Sequence, residues 1–229
     1  MRLIGRLAAL AAFVPQGARL ADIGTDHAFL PIELVQDNII VSAIAGDVHV
    51  GPYKAAKEHV EALGLEQKIS VRLGNGMAVL SPGEVETVVI AGMGGQTIIE
   101  ILNNNPEVTR SINRLILQPM VAAASVRRWL EENGWYLVDE RLVQDDGRLY
   151  EVVVAEQGIS FVCEPVMYDI GQKLWNDKSE LLTLHIDQLI AQTKRVLTEM
   201  TVSNNARKSL KYDEYKERLK QLEAKRRCL

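Results

Sequence analysis

Arg19-Leu-Ala-Asp-Ile-Gly-Thr-Asp-His-Ala28 decides the reading of this chain: an apolar run, Leu20 to Ile23, breaks into a turn at Gly24 flanked by two acids, Asp22 and Asp26. A short apolar run ending in glycine reads as a buried strand entering a loop. Gly24 has no side chain, so a bound molecule can come close to its backbone, and it can take a positive φ. Two carboxylates repel phosphate and suit a cationic ligand. That separates this turn from the three-glycine GxGxxG fingerprint, which seats a pyrophosphate on a helix N-terminus.

Outward from this turn the same punctuation repeats. Ile39 to Ala45, Ile69 to Arg72, Thr87 to Ala91 and Arg114 to Gln118 read as further strands, with helical stretches near 28–37, 51–63, 95–103 and 121–133 between them. Residues 2–13, with Leu3, Leu7 and Leu10 at helical spacing, predict a leading helix that Pro15 and Gly17 end. Strand and helix alternating at this pitch make βαβ units, whose crossovers require a parallel sheet covered on both faces. Beyond Asn133-Gly134 the pattern changes to Trp135–Val143 and Leu149–Glu156, separated by Gln144-Asp-Asp-Gly-Arg148. Asp146-Gly147 is a strong turn signal, so these two strands are expected to pair antiparallel at one side of the sheet.

In such a sheet ligands bind beyond the carboxyl ends of the strands, where strand order reverses. Asp22 and Asp26 can accept hydrogen bonds from a ligand ammonium. Asp47 ends the second apolar run, with Val48 after it, and its carboxylate can accept from both hydroxyls of a ribose; the competing reading is a turn aspartate behind Gly46. Asn75 and Gly76 follow the third strand, where a side-chain amide can read an adenine edge or simply make a turn.

From about Gly171 the strands stop and two helical patterns flank Val202-Ser-Asn-Asn205. Leu182, Ile186, Leu189, Thr193, Val196 and Met200 form one stripe; Tyr212, Tyr215, Leu219, Leu222, Arg226 and Leu229 form the other. An antiparallel helical hairpin is expected, with an intermolecular coiled coil as the competitor. The domains are read as 1–160 and 161–229.

The 229 residues are 47% hydrophobic, ample for a buried core, and carry a net charge of −4. The charge is uneven: residues 1–170 hold 13 Lys+Arg against 22 Asp+Glu, while residues 171–229 hold 13 against 8. A basic tail behind an acidic body suggests contact with a polyanion, the alternative being a solvated helix face. Cys163 and Cys228 stand far apart, and His27, His49, His59 and His185 are scattered, so neither a disulfide framework nor a metal site is expected. No apolar run is long enough to cross a bilayer, and the start of the chain has no signal-peptide pattern, so a cytoplasmic location is expected. A hydrolase would need a GxSxG elbow, which is absent.

Ala21-Asp-Ile-Gly-Thr-Asp-His-Ala28, Ala43-Ile-Ala-Gly-Asp47, Gly51-Pro52, Ile90-Ala-Gly-Met-Gly-Gly95, Leu115-Ile-Leu-Gln-Pro119 and Asp145-Asp-Gly-Arg-Leu-Tyr-Glu151 together resemble the bacterial tRNA (adenine(22)-N1)-methyltransferase family, TrmK, over nearly the whole chain. The fourth strand departs from the Asn-Pro-Pro-aromatic loop of many amino methyltransferases. The resemblance implies a Rossmann-like class I methyltransferase sheet with its terminal β-hairpin, a coiled-coil-like helical hairpin at the C-terminus, S-adenosylmethionine as cofactor and tRNA as partner; the sequence leaves the oligomeric state open, a monomer being the default expectation. It implies Asp22, Gly24, Asp26, His27, Asp47, Val48, Asn75, Gly76, Ala91 and Gly92 as cofactor contacts. Asp26 is expected to accept from the adenine's 6-amino group, Met93 to offer a soft surface to the base, and Gln118 to orient the base edge; His27 can equally serve a structural role. Arg6, which matches an Arg-Leu pair in family members, is expected to contact RNA phosphate, as are Arg2, Arg207, Lys208 and Lys211. The alternatives are a methyltransferase acting on a small molecule or protein, and a noncatalytic cofactor-binding RNA scaffold.

Overall fold

A computed structural model describes residues 3–159 and 164–229. Arg2 and Cys163 lie outside the described residues. The chain divides into two compact units, Met1–Phe161 and Val162–Leu229.

The first unit runs α1 (Gly5–Ala11), β1 (Ala18–Ile23), α2 (Phe29–Gln36), β2 (Ile40–Asp47), α3 (Val50–Ala62), β3 (Ile69–Leu73), β4 (Thr87–Gly94), α4 (Gly95–Asn104), α5 (Pro106–Ser111), β5 (Arg114–Val121), α6 (Ala123–Glu132), β6 (Trp135–Asp145) and β7 (Arg148–Gln157), with a 3₁₀ turn at Gly76–Val79. The sheet order is β3-β2-β1-β4-β5-β7-β6. β1 to β5 pair in parallel, and the β6–β7 hairpin adds on antiparallel through β7. The hairpin turns through Asp146 (φ 46°) and Gly147 (φ 72°), the left-handed pair a two-residue turn needs to match strand twist.

The central strands are apolar without alternation because both sheet faces are covered. In β4, Val88 and Ile90 enter the core under α4 and α6, while Val89 enters the opposite core under α1 and α2. Leu115 and Leu117 against Ile116 in β5, and Val153 and Ala155 against Val152 and Val154 in β7, divide the same way.

Two differences from the sequence reading have local causes. The sequence pattern marks no element between the helix near 95–103 and the strand from Arg114, yet Pro106 at the start of α5 opens a further helix there, its fixed φ being preset for one. The leading helix is shorter than 2–13, and a carboxylate from the hairpin meets its start: the Arg6 N–H donates to Asp145 Oδ2 at 3.0 Å.

The second unit contains α7 (Met167–Ile170), α8 (Gln172–Asn176), α9 (Leu182–Thr201), α10 (Asn204–Arg207) and α11 (Leu210–Arg227). α9 and α11 are antiparallel, as the ion pairs Lys194–Glu223 (2.8 Å) and Asp187–Arg226 (2.7 Å) require. The reversal expected at Ser203-Asn-Asn is itself a helical turn, α10, whose Ser203 side chain caps it by accepting from the Ala206 N–H. α7 and α8 are too short to show helical periodicity in the sequence.

Candidate functional site

Strand order reverses between β1 and β4: from β1 the chain builds outward to β2 and β3, then crosses back to lay β4 on the other side of β1. The carboxyl ends of these two strands carry Gly24 and the Ala91-Gly92-Met93-Gly94 segment, where the β4–β5 register shifts twice. That is the switch point at which an open α/β sheet binds ligands, and two cavities lie there.

The larger, about 380 Å³, is lined by residues that include Gly24, Asp47, Val48, Asn75, Gly76 and Met93. The smaller, about 160 Å³, takes in Arg6, Asp22, Gly24, Thr25, Asp26 and Ala91. Gly24 borders both. Its φ is +80°, a backbone conformation that favours glycine, and a Cβ there would lie 2.0 Å from Cε at the flexible end of Met93, which would have to swing aside.

Asp47 is 9% exposed. Its Oδ1 accepts from the His49 backbone N–H at 2.7 Å and lies 3.2 Å from His49 Nδ1, whereas Oδ2 has no hydrogen bond among the described residues. Asp22 is equally buried, and its Oδ2 accepts from the Thr25 hydroxyl at 2.7 Å. Burial pushes the Asp22 carboxyl up to about 6; the Thr25 hydroxyl opposes the rise and nearby Asp47 adds to it. Asp26 is open to solvent, 3.4 Å from His27 Nε2.

His27 lines neither cavity. Its ring stacks on Phe29 at 5.3 Å, and His27 and Ala28 both take left-handed backbone, φ 57° and 53°. His59 Nδ1 meets the His27 carbonyl at 2.9 Å, which ties this strained pair to α3.

Gln118 is fully buried, and its amide is committed inside the protein. Oε1 accepts from the Gly92 N–H at 3.0 Å and from Arg6 Nη1 at 2.7 Å, and Nε2 donates to the Pro119 carbonyl at 3.1 Å. Gln118 therefore holds the β4 loop and Arg6 in place. Arg6 is half-buried and lines the smaller cavity, its guanidinium 5.5 Å from the centre of the Tyr150 ring. Arg207, Lys208 and Lys211 fall in the second unit, exposed and without an ion pair among the described residues.

Sequence reasoning missed Thr97, Glu100 and Asn104, which line the larger cavity from one face of α4. Their spacing of three and four is helical, but polar residues so spaced mark any solvated helix face. It also missed a buried ion network in which Arg127, 1% exposed, reaches Glu140 at 2.5 Å and Glu151 at 2.7 Å. Among the described residues no group of three His, Cys, Asp or Glu side chains is placed to hold a metal ion, and no helix is long and apolar enough to cross a membrane.

The donor set fits a sulfonium nucleoside. A buried acid with one uncommitted oxygen suits a ribose, an amide and glycine backbone border the same cavity, and two carboxylates lie next door for a positive charge. Residues 3–153 match the family model described as a methyltransferase domain. The chain is 44% identical over 158 residues to the Bacillus subtilis tRNA (adenine(22)-N(1))-methyltransferase, an alignment spanning 69% of this chain and 66% of that relative. The crystal structure of the B. subtilis M1A22 tRNA methyltransferase TrmK superposes with a TM-score of 0.88 at 34% identity, covering 98% of each chain. Streptococcus pneumoniae Sp1610, solved in complex with S-adenosyl-L-methionine, superposes with a TM-score of 0.85 at 35% identity, covering 96% of this chain and 97% of the other. This chain belongs to the methyltransferase-domain family and, within it, to the TrmK tRNA (adenine(22)-N(1))-methyltransferases.

Proposed function

We propose that this chain methylates N1 of adenine 22 in tRNA with S-adenosylmethionine, residues 1–160 forming the catalytic domain and residues 161–229 a helical RNA-contacting domain of a cytoplasmic enzyme. The observation that carries this is the acid-lined pair of cavities meeting at Gly24, where β1 and β4 diverge. Asp47 takes the ribose hydroxyls, Asn75 and Gly76 border the adenine, and Asp22 faces the ammonium. When bound, the cofactor supplies an electrophilic methyl on a sulfonium sulfur.

Adenine N1 has an in-plane lone pair, so no base need deprotonate it. The product ring is cationic, so the protein's part is alignment together with acceptors near the growing charge. Asp26, open to solvent beside the smaller cavity, accepts from the 6-amino group as that group acidifies, with the carbonyls from Ala91 to Met93 beside it. N1 lies on the pairing edge, so the base leaves its stack to react. The glycines around Met93 admit a ring close to the backbone, and the thioether adapts to its face. Arg207, Lys208 and Lys211 contact phosphates and position the tRNA without reading its bases.

The test is incubation of the full chain with methyl-labelled S-adenosylmethionine and tRNA, followed by nucleoside analysis. Label in 1-methyladenosine that disappears when adenine 22 is replaced is the expected result. Label in another nucleoside, or none, overturns the assignment. Asp26→Ala is expected to lower the single-turnover methylation rate while tRNA affinity is retained; an unchanged rate removes Asp26 from the chemistry.

A further inference from the structure

Arg6 is a cation without an anion. Its Nη1 donates to Gln118 Oε1 at 2.7 Å, and Tyr150 lies against its guanidinium. No carboxylate pairs with that guanidinium among the described residues, although Asp22 and Asp26 line the same cavity. A guanidinium carries five N–H donors; one is spent on Gln118, and no other hydrogen bond from this guanidinium is formed among the described residues. Its support is built from across the fold: the Arg6 backbone N–H is fixed by Asp145, Gln118 is itself buried, and Gly92 leaves room beside the guanidinium, since a Cβ there would lie 3.0 Å from Nη1. An arginine immobilised this way loses little rotamer entropy when it binds a planar anion.

The anion must suit a cavity of about 160 Å³ that also contains two carboxylates and opens at Gly24 toward the larger cavity. A backbone phosphate of RNA would enter against both acids. A zwitterion has the complementary pattern: its ammonium faces Asp22 and its carboxylate faces Arg6. An α-amino acid is such a zwitterion, and the cavity adjoins the one that fits a nucleoside.

We propose that Arg6 is the anchor for the α-carboxylate of the cofactor's amino acid end, so that α1 forms part of the cofactor site. This rests on the cofactor reading given above. It also explains why the Asp145-to-Glu151 turn lies so far from the strand tips in sequence yet belongs to the same motif set: Asp145 fixes the backbone of α1 at Arg6, and Tyr150 supports the Arg6 head group.

The test is calorimetric titration of the full chain and its Arg6→Met variant with S-adenosylhomocysteine and with 5′-methylthioadenosine, which lacks the amino acid end. Loss of a charge-assisted hydrogen bond predicts that Arg6→Met weakens S-adenosylhomocysteine by roughly 10- to 100-fold. Methylthioadenosine affinity is expected to stay unchanged, which also shows that the variant is folded. Arg6→Lys, which keeps the charge without the planar fork, is expected to fall between. Unchanged S-adenosylhomocysteine affinity, or an equal loss for both ligands, overturns the assignment. If tRNA binding alone falls, Arg6 is a phosphate contact instead. A wild-type chain that binds neither nucleoside overturns the cofactor reading itself, a failure visible before any variant is compared.

Discussion

Replacing Asp22 by asparagine should make the ligand-free protein more stable while making it a worse binder. Asp22 is buried, and its carboxyl is lifted from the ordinary 3.8 to about 6, mainly by burial. Ionising it inside the fold therefore costs about 3 kcal/mol relative to the unfolded chain, at about 1.4 kcal/mol per pH unit between the two values. That figure already includes the help of the Thr25 hydroxyl, which lowers the carboxyl's value. The sign follows from proton counting. Below pH 3.8 the group is protonated folded or unfolded; between 3.8 and 6 only the unfolded chain releases its proton, so stability falls as pH rises; above 6 the whole cost is borne. Asparagine has the same shape, keeps an oxygen for Thr25 and never ionises. Urea unfolding of wild type and Asp22→Asn should thus nearly coincide at pH 4 and separate by about 2 to 3 kcal/mol at pH 8, a midpoint shift of roughly 1 M. The same variant loses the charged acceptor for the ligand ammonium and should bind S-adenosylhomocysteine about 10- to 100-fold more weakly. A variant less stable than wild type at pH 8, or a gap that does not change with pH, would refute the electrostatic account of this acid.

Gly24→Ala puts a Cβ on a backbone at φ +80° and pushes the Met93 tip aside, so the fold should weaken by about 1–2 kcal/mol in chemical denaturation and S-adenosylhomocysteine binding by calorimetry should weaken; unchanged stability and affinity would show that the left-handed backbone at Gly24 is not needed. Arg127→Ala removes the buried guanidinium that joins Glu140 to Glu151, and should lower stability by about 3–5 kcal/mol in chemical denaturation, where a loss below about 1 kcal/mol would show that the network is solvated. Changing Arg207, Lys208 and Lys211 together to alanine should reduce the slope of log tRNA affinity against log salt by about 2, with S-adenosylhomocysteine binding unchanged; an unaltered slope removes the tip of the hairpin from the RNA surface.

What the sequence made legible, and what it hid, divides by the distance between partners. The strands of the parallel sheet announce themselves because a strand covered on both faces must be apolar throughout, as Val88-Val-Ile90 and Leu115-Ile-Leu117 are. The hairpin follows from two residues, Asp146 and Gly147, whose left-handed backbone the turn demands. The acids near Gly24 are equally local, since a strand end and a turn put them there together. Arg6 and Gln118 are another matter. Each has an evident chemistry taken alone, a surface cation and a base-reading amide, but 112 positions separate them and each takes up part of the other's capacity. Charge in a sequence records what a side chain can do; what it faces is set by the fold. Arg127, Glu140 and Glu151 show the same rule, because three charged residues on α6, β6 and β7 look solvated until the hairpin closes against the helix. For Arg6 the consequence is functional. The residue that counted toward a polyanion surface is held by Asp145 and Tyr150 at the wall of a cavity with two carboxylates, the charge pattern from which its role toward a zwitterion is proposed.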